Sequence, residues 1–215
     1  TVANALREQT ARCPELRKPH LVVSNMAEIS ENLRGEGDGK LLFDRIIGRN
    51  CLAAAGYKAE IMRHVKPLLQ ADGGAFLLAE TVPKHTQRLY RLSHDLGLPA
   101  ELQKKLAKAE ESIYTDSSNP MVAWDAKDLA QAAIAMGLPK SECKCVTHTV
   151  QRQITDDILN HWFPPADQSR TTSYAARLAK HLNAEELSQV EQAYRRALRG
   201  RTVAWAVTTA ILVAR

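Results

Sequence analysis

The stretch that most constrains the fold runs from Phe43 to Pro83, FDRIIGRNCLAAAGYKAEIMRHVKPLLQADGGAFLLAETVP. Phe43 to Ile47 is a short apolar run with β-branched residues, followed by Gly48, Arg49 and Asn50. From about Tyr57 the apolar period changes: Ile61, Val65, Leu68 and Leu69 share one face of a helix. Pro67 inside that helix removes one backbone hydrogen bond, so a kink or early end is expected there. Asp72-Gly73-Gly74 stops it, because glycine takes the left-handed conformation at no steric cost. Ala75 to Ala79, AFLLA, is nearly continuous apolar, the pattern of a strand buried on both faces of a parallel sheet. The stretch predicts a βαβ unit. Any ligand should lie beyond the carboxyl ends of its strands, at Gly48-Arg49-Asn50 and Glu80-Thr81-Val82-Pro83.

Around that unit, 215 residues suffice for one large domain, and 45% hydrophobic with 25% charged residues is ordinary globular composition. No run of 18 apolar residues exists, so no membrane span is expected. No signal peptide opens the chain. The missing initiator Met points to a fragment or a processed chain. A net charge of +5 permits nucleic-acid contact without demanding it. Cys13, Cys51, Cys143 and Cys145 lack zinc-finger spacing, so reduced cysteines in a cytoplasmic protein and no metal are expected.

Val2 to Cys13 reads as a helix with Val2, Ala5, Leu6 and Cys13 as its buried stripe. His20 to Ser24, HLVVS, reads as a third buried parallel strand, and Ala27 to Leu33 as a short helix before a polar loop at Gly35 to Lys40. After Pro83 come helices at Thr86–His94 and Ala100–Tyr114, the latter with Leu102, Leu106, Ala109 and Ile113 on one face. Asp125 caps a helix over Ala126–Met136 and Gly137 stops it. Glu142 to Gln153 alternates as a strand does, and Thr155 caps a helix to Trp162. Ser173–His181 and Ala184–Arg199 read as helices, the second with Asn183 and Glu186 as a capping box. Gly200 ends it, and Thr202 to Ala214 is a long terminal strand. This strand and Glu142–Gln153 are expected as an antiparallel pair at the sheet edge.

This order resembles the second half of a class I S-adenosylmethionine-dependent methyltransferase. The carrying stretch is Leu68-Leu69-Gln70-Ala71-Asp72-Gly73-Gly74-Ala75-Phe76-Leu77-Leu78, close to that family's Leu-Leu-x-x-Gly-Gly before its fifth strand, with one residue extra. The resemblance implies an α/β, Rossmann-like three-layer fold, truncated at its N-terminus, with parallel core strands and a C-terminal antiparallel pair. One domain spans 1–215, with a helical insertion over 83–140 and a helical connection over 154–200. The family's glycine-rich cofactor loop and the acidic residue after it are not in this sequence, so the chain is expected to start after the fold's second strand. Either it is cut from a longer protein or half of the site is lost. The stretches AEESIYTDSSNPMVAWDAKDL and GRTVAWAVTTAILVAR further resemble a C-terminal domain fused to AAA+ ATPases of the replication-associated recombination type, the MgsA/RarA family. That resemblance implies a neighbouring ATPase as partner, with DNA reached through the parent protein. This chain itself has no GxxxxGK[ST] motif.

By the same resemblance S-adenosylmethionine is the expected cofactor. Asn25 and Met26 would meet its adenine, and Gly48, Arg49 and Asn50 would lie beside the methyl donor. Asn50 has the chemistry to orient a nucleophile, and Arg49 equally that of a loop residue paired with a carboxylate. The loop is not the Asn/Asp-Pro-Pro-aromatic motif, which tells against base methylation. Glu80 and His85 follow the last parallel strand, and His85 has general-base chemistry. Trp124, Trp162 and Trp205 read as core or interface residues. Arg195 and Arg199 share a helix face and could meet phosphates, but they also suit the helix dipole, with Glu191 one turn before Arg195. Two functions follow: a non-catalytic methyltransferase-like module serving an ATPase, oligomeric or docking a partner, or an active methyltransferase whose cofactor loop lies upstream.

Overall fold

In the computed structural model, which describes residues 2–11, 14, 22, 24, 28–33, 41–52, 58–93, 95–165 and 172–215, the Phe43–Pro83 stretch forms the expected unit. Strand β1 (Arg45–Arg49) and β2 (Ala75–Thr81) pair in parallel, Arg45 opposite Ala75 through Arg49 opposite Ala79. Phe43 stands outside β1 and makes a lone parallel bridge to Leu69. The connecting helix is shorter than its apolar period suggests: Lys58–Val65 is α-helical and Lys66–Leu68 is a 3-10 turn. Pro67, which has no N–H to give the α-helical ladder, sits in that tighter turn. The two glycines before β2 serve different needs. Gly73 has φ +77°, whereas a Cβ on Gly74 would lie 2.4 Å from the Gln70 carbonyl oxygen.

The remaining strands are β3 (Ser141–Gln153) and β4 (Thr202–Ala214), antiparallel along their whole length. The sheet order is β1-β2-β4-β3. The antiparallel pair thus forms one edge of the sheet, as expected, with β3 outermost and β4 between β2 and β3, antiparallel to both. The small and apolar β4 residues Ala210, Leu212 and Ala214 are fully buried, as a strand hydrogen-bonded on both sides requires.

Helices α1 (Val2–Thr10), α2 (Ile29–Asn32) and α3 (Lys58–Val65) precede β2. Helices α4 (Ala100–Thr115) and α5 (Ala126–Ala135) follow it, and α6 (Asp156–Trp162), α7 (Tyr174–Leu178) and α8 (Ala184–Leu198) join β3 to β4. The caps are those the sequence announces, Asp125, Thr155, and Asn183 with Glu186, and Asp128 completes a capping box with Asp125. One core packs α3 and α5 on Phe76, Leu78, Ala210 and Leu212 of the sheet. The other packs α4, α6, α7 and α8 around Phe163, Tyr174 and Tyr194. Each large side chain so buried contributes roughly 1.5–3 kcal/mol.

Four expectations change. Thr86–Ser93, expected as part of a helix to His94, is not one: a 3-10 turn at Pro83–His85 precedes it and it contains a second at Leu89–Arg91, for a reason given below. Ala5, expected in the buried stripe of α1, is exposed. β2 is not buried alike on both faces: Phe76, Leu78 and Glu80 are buried while Leu77, Ala79 and Thr81 are half-buried. Their face of the sheet also carries exposed Ile47, Val146 and Ile211. Of the His20–Ser24 strand, only Val22 and Ser24 are among the described residues, and neither is in a strand. The Gly35–Lys40 loop lies outside them.

Candidate functional site

The carboxyl ends of β1 and β2 meet where the topology places a site. Asn50 leaves β1 with φ +49°, uncommon for a residue with a side chain. Its backbone N–H donates to the Ala79 carbonyl at 3.0 Å and its Oδ1 accepts from the Thr81 N–H at 2.8 Å. The side chain thus replaces a rung of the ladder and locks the two strand ends together. Glu80, fully buried, reaches back under the same turn. Its Oε1 accepts from the Cys51 N–H at 2.9 Å and the Cys51 thiol at 3.3 Å, and both carboxylate oxygens lie 3.2 Å from the Leu52 N. Burial, then the charge of Glu80, pushes the Cys51 thiol up to about 12.

Lys58 in the first turn of α3 closes the far side. Its Nζ donates to the Leu52 carbonyl at 3.3 Å and sits 4.6 Å from the Trp124 ring centroid. Burial pulls its ammonium below the ordinary range, against the charges of Glu80 and Asp128. Gly48 is in close contact too: a Cβ there would fall 2.6 Å from the Cys51 Sγ and 2.7 Å from the Leu78 Cδ2. Its lack of a side chain serves internal packing. Arg49 is exposed and has no ion-pair partner among the described residues, so the carboxylate partner considered for it is not among them. Gly48, Arg49 and Asn50 lie at the carboxyl end of β1. Asn25 and Met26 lie outside the described residues.

S-adenosylmethionine carries a sulfonium, ribose hydroxyls and an amino-acid head, so its site must offer polar groups facing outward. The polar groups at these strand ends do not fit that need. Glu80 and the Oδ1 of Asn50 are spent on the chain's own backbone, and among the described residues no buried side-chain nitrogen or oxygen lacks a partner. The cavity of about 300 Å³ beside Gly48 is walled by Ile29, Leu33, Phe43, Ile46, Val65, Leu68 and Phe76, with Arg45 the one charged residue among the described residues that line it. Among the described residues no cluster of three or more His, Cys, Asp or Glu could hold a metal ion.

His85 stands elsewhere, exposed on a groove of about 510 Å³ that runs from the end of β2 across β4 and β3. Lys84, Arg88, Arg91 and Glu111 line one wall; Cys145, Thr147 and Thr208 line the other. Arg88 Nε pairs with Glu111 at 3.0 Å while its guanidinium lies 4.1 Å from the Tyr114 centroid, and Arg91 reaches the same carboxylate at 3.1 Å. Burial opposes ionisation of Glu111, but hydrogen bonds from Arg88 and Tyr90 and the two arginine charges hold it below the ordinary carboxylate range. Among the described residues nothing hydrogen-bonds the His85 ring, so no partner fixes the tautomer a general base requires.

Sequence reasoning missed Glu110. It is fully buried on α4 and accepts from the Leu89 N–H at 2.5 Å, the Tyr90 N–H at 3.0 Å and the Tyr174 hydroxyl at 2.7 Å. It explains the broken Thr86–His94 helix: the Leu89 and Tyr90 N–H groups, which a helix would consume, bond a carboxylate instead. The signal was present as a carboxylate inside the apolar stripe Leu102, Leu106, Ala109, Ile113. The tryptophans are structural, Trp124 buried in one core and Trp162 stacked on Trp205 at 6.1 Å in the other. Arg195 bonds Glu191 at 2.8 Å and the Phe163 carbonyl at 3.2 Å, and Arg199 bonds Asp156 at 2.7 Å.

Comparison with known proteins finds no family model that matches the chain and no curated protein that matches it. Among solved structures, a candidate methyltransferase from Bacillus halodurans is similar at 13% identity and a TM-score of 0.44, covering 100% of this chain and 77% of that one. A candidate sarcosine dimethylglycine methyltransferase from Galdieria sulphuraria is similar at 12% identity and a TM-score of 0.36, covering 97% of this chain and 63% of that one. Among the described residues no helix is long and apolar enough to cross a membrane.

Proposed function

We propose that this chain is a methyltransferase-like module that serves a fused or associated AAA+ ATPase of the replication–recombination type through contacts, without itself transferring methyl groups. Methyl transfer from a sulfonium needs a donor and a nucleophile held in line with water excluded. The observation that carries the reading is the closed turn at the strand ends. Asn50 and Glu80, the side chains best placed to meet a ligand, bond Thr81, Cys51 and Leu52 of the chain itself. Folds are often kept after their chemistry is lost.

The two stretches that resemble the ATPase-fused domain are structural in character. Ala109–Leu129 runs from α4 through the Asp125 cap into α5, with Trp124 buried between. Gly200–Arg215 is the strand inserted at the middle of the sheet. DNA would be reached through the parent protein, since Arg195 and Arg199 are already partnered.

Calorimetric titration of S-adenosylmethionine into the protein tests this. No saturable heat is expected up to on the order of 1 mM. Saturable binding would overturn the reading in favour of an active methyltransferase. Sedimentation of the chain with a purified ATPase of that type should show a complex. Two independent boundaries would remove the ATPase from the proposal.

A further inference from the structure

The outer edge of β3 is a long strand edge that no strand among the described residues pairs with. β3 pairs only with β4 among the described residues, contains no proline, and is exposed from Lys144 to Gln153. Such an edge is a template for another strand unless something covers or bends it. The phase of its hydrogen bonds can be read from its ends. Lys140 N donates to Arg215 O at 3.2 Å and Arg215 N to Lys140 O at 3.0 Å, and Ile154 N donates to Arg201 O at 2.8 Å. In an antiparallel ladder such doubly bonded pairs recur every second residue. The even-numbered residues of β3 thus turn their N–H and C=O toward β4. Cys143, Cys145, Thr147, Thr149 and Gln151 turn theirs to the open edge.

We propose that β3 binds β3 of a second copy of this chain, antiparallel, about a two-fold axis through Thr147. That register sets the outward-bonding residues opposite one another: Cys143 with Gln151, Cys145 with Thr149, and Thr147 with itself. On the adjoining face it sets Glu142 opposite Arg152 of the second copy, twice by symmetry. Shifting the centre to His148 instead sets Lys144 opposite Arg152, like charges. Shifting it to Val146 leaves Arg152 without Glu142. Charge therefore selects one register, as cross-strand pairs do. The exposed Val146 (47%) and Val150 (40%) become diagonal neighbours across the axis, next to Ile211. Glu142 now holds Lys144 at 2.8 Å, with both side chains exposed, an arrangement worth little and easily exchanged. Arg152 lies over Trp205 at 4.6 Å, so its stem is already directed along this face.

Sedimentation velocity over a concentration series tests the proposal on the whole chain. A reversible dimer is expected. E142R or R152E alone should weaken it about tenfold or more, since two attractive pairs become repulsive. E142R/R152E should restore it. Thr147→Pro removes an N–H that faces outward and no backbone β3–β4 bond, losing besides only the side-chain hydrogen bond to Thr208, so it should abolish the dimer while the circular dichroism spectrum stays native. A monomer at every concentration up to roughly 0.1 mM overturns the proposal. So does a dimer indifferent to the single reversals, or one that the double swap fails to restore. If Thr147→Pro unfolds the chain, the charge swap alone decides.

Discussion

Glu80 and Glu110 are two solutions to one problem. Each is a fully buried carboxylate that holds two consecutive backbone N–H groups of a distant loop: Cys51 and Leu52 for the first, Leu89 and Tyr90 for the second. Their surroundings differ. Glu80 acts on a buried ammonium, Lys58, which bonds the same loop from its other side. Glu110 has tyrosine hydroxyls instead: Tyr174 donates to it, and the Tyr194 oxygen lies 3.4 Å from that of Tyr174. Burial pushes the Glu110 carboxyl above the ordinary range, against its hydrogen bonds from Tyr174, Leu89 and Tyr90 and the charge of Arg88. The same device is thus backed by a buried countercharge in one core and by neutral dipoles in the other.

Truncation should separate the two most strongly. Glu110→Ala leaves three donors unpaired and a void in the larger core, and about 4 kcal/mol of stability should be lost. Glu80→Ala leaves two N–H groups and Lys58 without the carboxylate, and about 3 kcal/mol should be lost. Urea denaturation gives both values. Hydrogen exchange then shows where each is felt, at Leu89 and Tyr90 in one variant and at Cys51 and Leu52 in the other. Losses under about 1 kcal/mol would mean that the loops hold themselves, and the parallel between the carboxylates would fail.

A smaller effect is the pH dependence that Glu110 should produce. Its folded pKa lies above the ordinary 4.5, so the folded chain binds the proton more tightly than the unfolded one. The stability from this source is fully present below about 4.5 and is lost as pH rises through the folded value. Glu110→Gln keeps an oxygen for the N–H groups and cannot ionise. Its stability should be flat where the parent's falls as pH rises above 4.5. A parent curve without that fall would show that the hydrogen bonds outweigh burial.

These contrasts also mark what the sequence could disclose. Elements with local signals were legible: the Asp125 cap, Asn183 with Glu186, the Pro67 break, and the parallel pair joined through Gly73-Gly74. The long alternating runs became β3 and β4 at nearly the expected bounds. Sheet order was not legible, because the insertion of β4 between β2 and β3 depends on contacts far apart in sequence. Nor was the loss of the Thr86–His94 helix, since Leu89 and Leu92 have helical spacing and the carboxylate that captures the Leu89 and Tyr90 N–H groups lies on α4. At the strand ends, position was readable and direction was not. Asn50 and Glu80 are where a site would be, but Glu80 turns inward and the Asn50 Oδ1 bonds the chain itself.

The finest distinction concerns the thiol that Glu80 holds. At a pKa of about 12, roughly one Cys51 in ten thousand is thiolate at pH 8. Cys145 is exposed on the groove. Alkylation of the folded chain at pH 8, read by peptide mass spectrometry, should label Cys145 and leave Cys51 untouched until denaturant is added. Glu80→Gln removes the negative charge but leaves the thiol buried. Because burial is the larger cause and the charge the next, Cys51 labelling should quicken by on the order of tenfold and still trail Cys145. Unchanged labelling in that variant would assign the protection to burial alone. Labelling that matches Cys145 in the parent would mean that the turn opens freely and that Glu80 does not close it.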